Sequence, residues 1–203
     1  LAGAFGSLAR PGLLAAFLAT AGGTAVGIAA GWLGEPVGSL SRGGATALLA
    51  LPPLVVALLV GMATGAEPLA LGAAVGVVGA AHTGLAVADR ISALKRAEFV
   101  LAARAHGIAD VRVLFHHVLR LSCGDVLLRG AAEAIASVAV LDVTLAYLGD
   151  FGVPEPTPSL GNILVHAVES GLGNPIGLAA AACTFLFVAG PLTAYRTGPE
   201  LHS

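Results

Sequence analysis

The sequence predicts an all-α membrane protein, a polytopic bundle of helices with five visible spans. Of its 203 residues 57% are hydrophobic and only 11% are charged, whereas an average soluble domain carries about 25% charged residues. Apolar stretches recur at a length of roughly 20 residues, which a helix needs to cross a hydrocarbon core about 30 Å thick while satisfying its own backbone polar groups. Lysine and arginine collect on alternate connections, the bias that orients membrane helices. The net charge of -2 supplies no general basic field for nucleic acid.

The spans fall at about 13–33, 44–64, 68–88, 126–148 and 172–194. Gly23, Gly27 and Gly31 repeat every fourth position in the first, as do Gly72, Gly76, Ala80 and Gly84 in the third. Such stripes predict close helix packing, because apolar burial offers helices in lipid no drive to associate. The second span contains Pro52-Pro53, read as a kink of the kind a span tolerates. Cys123 and Cys183 sit in or beside apolar segments, which predicts inert buried thiols with neither a disulfide framework nor metal spacing.

Orientation follows from the basic residues. With the connections 34–43 and 89–125 and the tail after Tyr195 on the cytoplasmic side, that side holds Arg42, Arg90, Lys95, Arg96, Arg104, Arg112, Arg120 and Arg196, with Arg129 at a span end. Only Arg10 is then outside. The chain opens on Leu1 without a charged n-region or a small-residue cleavage site, so an N-terminal piece is expected to be missing.

Ionisable residues inside spans are costly and therefore candidates for a translocation path. These are Glu133 and Asp142 in the fourth span and His82 in the third. At about 100° per residue, positions 133 and 142 lie on opposite helix faces. Only one of the two is expected on the route, the other pairing with a neighbouring helix or subunit. His82 reads first as a hydrogen-bonded packing residue and second as a pathway group.

The most polar passage is "EFVLAARAHGIADVRVLFHHVLR", residues 98–120. Residues 95–104 read as one helix, and Gly107 supplies backbone freedom where it ends. Asp110 is placed to cap a second helix. In that helix Val111, Leu114, Phe115, Val118 and Leu119 form one apolar face, with Arg112, His116 and Arg120 on another. Isolated from its context, helix, glycine turn and helix with arginines would suit DNA. Spans on both sides argue instead for a hairpin at the membrane surface that receives a push from another protein. A metal site is not expected: His116 and His117 are adjacent and no HxxxH or HExxH occurs. No Gly-x-x-x-x-Gly-Lys-Ser/Thr loop occurs either, so the chain is not expected to hydrolyse ATP.

The hairpin resembles the EAA loop of permease subunits in binding-protein-dependent ABC importers. Ala102-Ala103, Gly107 and Leu119 match that pattern in spacing, and "FHHVLR" is similar to the "RHILP" ending of the peptide-importer branch. Leu101 stands where the motif has glutamate, and Arg120 where it has proline. A second stretch, "LAYLGDFGVPEPTPSLGNIL" at 145–164, is similar to a segment of the dipeptide, oligopeptide and nickel permeases. Asp150 looks like a one-residue insertion, and Leu160 replaces the usual tryptophan. Pro154, Pro156 and Pro158 favour a stiff, extended connector.

The resemblance covers nearly the whole chain, with the family's first span absent. It implies the type I ABC importer permease fold: one transmembrane domain over 1–203, a cytoplasmic coupling loop at 89–125 and an external proline-rich connector at 149–171. It also implies a multi-pass subunit of a prokaryotic plasma or inner membrane. Its expected partners are lipid, a second homologous permease, two ATPase subunits or domains that bind ATP and magnesium, and an external solute-binding protein. This chain would need no cofactor and would have no nucleic-acid partner. Coupling would fall to Glu98, Ala102, Ala103, Arg104, Gly107, Asp110, Arg112, His117 and Leu119, and the external gate to Gly152, Pro154, Pro156, Pro158 and Gly161. The cargo implied is di- or oligopeptides or similar solutes. One alternative is nickel or a metal–metallophore complex in the same machine, and another is an ATP-independent helical channel or scaffold.

Overall fold

The computed structural model describes residues 2–109, 112–120, 122–149, 151–169, 175, 179, 181–183 and 186. Among these the regular structure is helical, with no strand. The helices are α1 (Ala2–Gly31), α2 (Val37–Leu49), α3 (Pro53–Thr64), α4 (Pro68–Leu94), α5 (Glu98–Ala105), α6 (Val113–Arg120), α7 (Gly124–Tyr147) and α8 (Leu160–Glu169). The stretch predicted to span at 172–194 lies outside the described residues except at the isolated positions just given.

Two helical stretches, Gly6–Gly31 and Pro68–Leu94, are long and apolar enough to cross a membrane, and the α2–α3 pair adds a third if taken as one broken span. That pair departs from expectation. The predicted kink at Pro52-Pro53 is a full break, since α2 ends at Leu49 and Pro53 takes the first position of α3. Proline lacks an N–H and pushes the residue before it out of the α region, so two in succession end one helix and start another. α3 stops at Gly65, whose φ of 67° is left-handed. Glu67 then starts α4 by accepting the Ala70 N–H at 2.7 Å, satisfying an amide that has no partner in the first turn. α4 runs to Leu94, six residues past the predicted end of its span at 88. α7 occupies Gly124–Tyr147, where the sequence predicts a span at 126–148, but it is not among the helices long and apolar enough to count as a span by length and composition.

The chain divides into two compact units, one of residues 1–16, 52–76 and 132–203, the other of 17–51 and 77–131. In the second unit the predicted glycine stripe is a packing seam between α1 and α4. A Cβ on Gly23 would lie 2.8 Å from that of Thr83, and one on Gly31 would lie 2.8 Å from the Ala88 carbonyl oxygen. Gly27 meets Val87, and from the other side Gly84 meets Val26. In the first unit Gly72 of α4 lies against Pro11 of α1, with its Cβ position 2.8 Å from the Pro11 Cα.

Substitution separates packing glycines from tolerant ones. Gly31→Ala should lower the stability of the detergent-solubilised protein by about 1–3 kcal/mol, because backbone must move to admit the methyl group. Gly43→Ala, in an open position of α2, should raise it by up to about 1 kcal/mol through helix propensity. Thermal unfolding of the two variants reads the difference.

Candidate functional site

The polar passage of the sequence folds as an elbow built on apolar contacts. α5 begins with Glu98 in its first turn, where a carboxylate complements the helix dipole. It ends at Ala105; Gly107 follows with a φ of 77°, and the Ile108 N–H donates back to the Ala103 carbonyl at 3.1 Å. That six-to-one bond across a left-handed glycine is the Schellman arrangement, here between Ala103 and Ile108. Both lie against a buried cluster of Val87, Ile91, Val100, Val113, Leu114, Leu119 and Cys123, which Ile28, Trp32, Leu94, Val126 and Leu127 flank. One core therefore joins the elbow to the ends of α1 and α4 and to the start of α7.

α6 differs from the periodicity prediction. It winds as a π-helix from Val113 to Arg120, a form that turns successive side chains to other bearings than an α-helix does. Val113 replaces Phe115 on the inner face: Val113 is fully buried, whereas Phe115 is 56% exposed. Leu114 and Leu119 are buried as predicted. Of the other coupling candidates, Glu98, Ala102 and Arg112 are exposed and Ala103 is half-buried. Asp110 and Val111 lie outside the described residues, as do the side chains of Arg104, His116, His117, Val118 and Arg120.

Polar ties at the end of α4, invisible to the sequence reading, brace this core. Arg42 of α2 reaches Asp89 at 2.8 Å and the Ser92 hydroxyl at 3.2 Å. The Lys95 ammonium donates to the Trp32 carbonyl at 2.8 Å and stands 5.4 Å over the Trp32 ring. Arg90 donates to the Ser122 carbonyl at 3.1 Å and faces Asp125 at 3.9 Å. The Arg42–Asp89 pair is partly exposed, so it adds on the order of 0–1 kcal/mol and mainly sets the bearing of α2. Positions 42 and 89 stand on separate helices far apart in sequence, and no local pattern links them.

The pathway and connector candidates belong to the other unit, His82 excepted. His82 is exposed on α4, Glu133 is half-buried and Asp142 is buried on α7. Asp142 lines a cavity of about 30 Å³ together with Ser7, Leu8, Pro11, Leu141, Val153 and other side chains. That volume accommodates a small number of water molecules.

The connector is not wholly extended, since its second half is α8. Pro154, Pro156 and Pro158 are exposed, while Gly161 is buried and Gly152 half-buried. Gly152 presses on α7, where its Cβ would lie 2.8 Å from the Ala146 Cα. The Asn162 side chain donates to the Val153 carbonyl at 2.9 Å and the Ser7 hydroxyl to the Pro158 carbonyl at 2.6 Å. Ser159 caps α8 by accepting the Asn162 N–H at 3.0 Å. A serine directly after the prolines was the available signal for that helix start. Among the described residues no group of three or more histidine, cysteine, aspartate or glutamate side chains is arranged to hold a metal ion.

Two titratable groups outside the spans have shifted equilibria. Burial pushes the Cys123 thiol above its ordinary range, against the pull of the Arg90 charge. Cys123 should therefore stay unmodified by maleimide in the folded protein and react on unfolding, as mass spectrometry of the labelled protein will read. His166 donates from Nε2 to the Glu155 carboxylate at 2.6 Å, and its Nδ1 lies 3.5 Å from Glu169. The hydrogen bond and charge of Glu155 raise its pKa above the ordinary histidine value. A raised folded-state pKa makes this tie strongest in acid, fully present below the unfolded value of about 6.5 and lost as pH rises through the folded value. An NMR titration should show that raised midpoint, and Glu155→Gln should return it toward about 6.5.

Comparison with known proteins covers both sites. A family model described as binding-protein-dependent transport system inner membrane component matches residues 23–196. The dipeptide transport system permease protein DppC of Alkalihalophilus pseudofirmus is 29% identical over 163 residues, 77% of this chain and 52% of that protein. A putative peptide transport system permease protein of Brucella suis is 31% identical over 157 residues, 76% of this chain and 51% of its own length. The oligopeptide transport system permease protein OppC of Mycobacterium tuberculosis is 30% identical over 82 residues, 40% of this chain and 28% of the relative. The chain thus spans about half the length of the Alkalihalophilus and Brucella relatives.

Proposed function

The chain belongs to the family of inner membrane components of binding-protein-dependent transport systems, and on that premise we propose that it is a transmembrane permease subunit of an ATP-driven peptide importer. The observation that carries this reading is the shared apolar core of the elbow and the ends of α1, α4 and α7. A force applied to α5 or α6 is borne by packed side chains, and such a core shifts between discrete arrangements more readily than it deforms. The names of the relatives favour peptides as cargo over nickel or a metallophore complex.

In this reading the elbow faces the cytoplasm of a prokaryotic cell and fits a groove on an ATPase subunit. Glu98, Ala102, Arg112 and the left-handed Gly107 form its exposed rim. The ATPase partners hold ATP and magnesium, hydrolyse the nucleotide and move the spans between inward-open and outward-open states. A second, homologous permease completes the path, and a solute-binding protein delivers the peptide from outside. This chain binds and moves, and performs no covalent chemistry.

Gly107 offers the direct test. A side chain at its φ of 77° costs on the order of 1–2 kcal/mol and turns the rim of the elbow. In the assembled complex, Gly107→Leu should lower ATP-dependent uptake of a radiolabelled dipeptide about tenfold or more while the ATPase subunits continue to hydrolyse ATP. Normal uptake by this variant, or purification of the intact assembly without an ATPase partner, would count against the reading and leave an ATP-independent channel or scaffold in its place.

A further inference from the structure

The first amides of α8 have no carbonyl of their own helix to bond. Ser159 takes one of them, the Asn162 N–H. Another is taken from a different helix: the Gly161 N–H donates to the Asp142 carboxylate of α7 at 3.0 Å, 19 residues back along the chain. The Leu160 amide and the Ser159 hydroxyl also bear on that carboxylate. The site is closed, with Asp142 9% exposed, Ser159 1% and Leu160 fully buried.

Contact geometry makes this approach specific. A Cβ on Gly161 would lie 2.5 Å from the Asp142 carbonyl oxygen and 2.6 Å from the Ala146 Cβ. Only glycine lets the start of α8 come so near α7. The helix α7 continues past Asp142 to Tyr147, roughly 7 Å of further rise, so α8 begins alongside α7 and not beyond its end.

Physical chemistry favours a carboxylate here. An anion at a helix N-terminus is stabilised by the free amides and the aligned peptide dipoles, and hydrogen bonds to a charged acceptor are about twice as strong as neutral ones. These contacts offset part of the cost that an ionisable group carries within a span. The cavity beside Asp142, about 30 Å³, has room for a small number of waters.

We infer that Asp142 is a positioning residue, whose carboxylate caps α8 and anchors the connector 151–169 to the last turns of α7. Of Glu133 and Asp142, the two pathway candidates on α7, Asp142 is thereby assigned to helix docking, in place of the translocation route. This assignment is independent of the cargo and of ATP coupling, since it concerns only how α7 holds α8.

The test reads accessibility in the full chain in membranes, using N-ethylmaleimide and peptide mass spectrometry. Ala167 lies on α8 and is 8% exposed, so Ala167→Cys reports whether α8 stays docked, while native Cys123 reports on the other unit. Asp142→Leu should speed modification at position 167 by roughly tenfold to a hundredfold, the scale set by losing a buried hydrogen-bond acceptor. Asp142→Asn keeps an acceptor oxygen and should leave position 167 protected, and Cys123 should stay protected in both. The assignment is overturned if Asp142→Leu leaves position 167 protected, if the Asn variant is as reactive there as the Leu variant, or if Cys123 becomes equally exposed.

Discussion

Between Gly22 and Gly31 the backbone of α1 runs so near α4 that a methyl group at Gly22, Gly23, Gly27 or Gly31 would meet Ala80, Thr83, Val87 or Ala88. In lipid the tails are as apolar as the side chains, so helices gain little by hiding leucine and must gain instead from close van der Waals contact. The glycines allow that contact. Because it holds the second halves of α1 and α4 in one register, Ile28 of α1, Trp32 just after it and Val87, Ile91 and Leu94 of α4 come to share one apolar cluster.

The elbow is built on that cluster. Its charges give it the look of a solvated hairpin, yet Val100, Val113, Leu114 and Leu119 are buried against α4. The polar side chains at the end of α4 act around the rim. Lys95 ties the chain leaving α1, Arg42 reaches Asp89 from α2, and Arg90 holds the strand of backbone entering α7. Each bond is individually weak where it is exposed. Together they give the surrounding segments fixed bearings around the packed core.

The connector uses a related device in its own unit. Gly152 and Gly161 remove the side chains that would keep α8 and its leading turn away from Ala146. The free amides that such close approach buries then need acceptors. Ser159 supplies one locally and Asp142 supplies another across the helix pair. Burial of an acidic residue within an apolar helix is thus matched to the one place nearby where backbone N–H groups lack partners.

The amino-acid sequence by itself determined the helical membrane class, a disturbance at Pro52-Pro53, expected as a kink and present as a full break, the packing role of the Gly23, Gly27 and Gly31 stripe and the backbone freedom at Gly107. All of these follow from local chemistry: apolar length, a missing N–H, a missing Cβ and their spacing. It also made the family legible through residues 98–120 and 145–164, which fall within the matched region 23–196. Tertiary structure alone decided that Val113 and not Phe115 turns inward, because that depends on π winding against a core assembled from four other segments. It alone joined Arg42 to Asp89 and Asp142 to Gly161. Spacing on one helix says which residues share a face, but which backbone group lies opposite a carboxylate is fixed only when a second helix packs there.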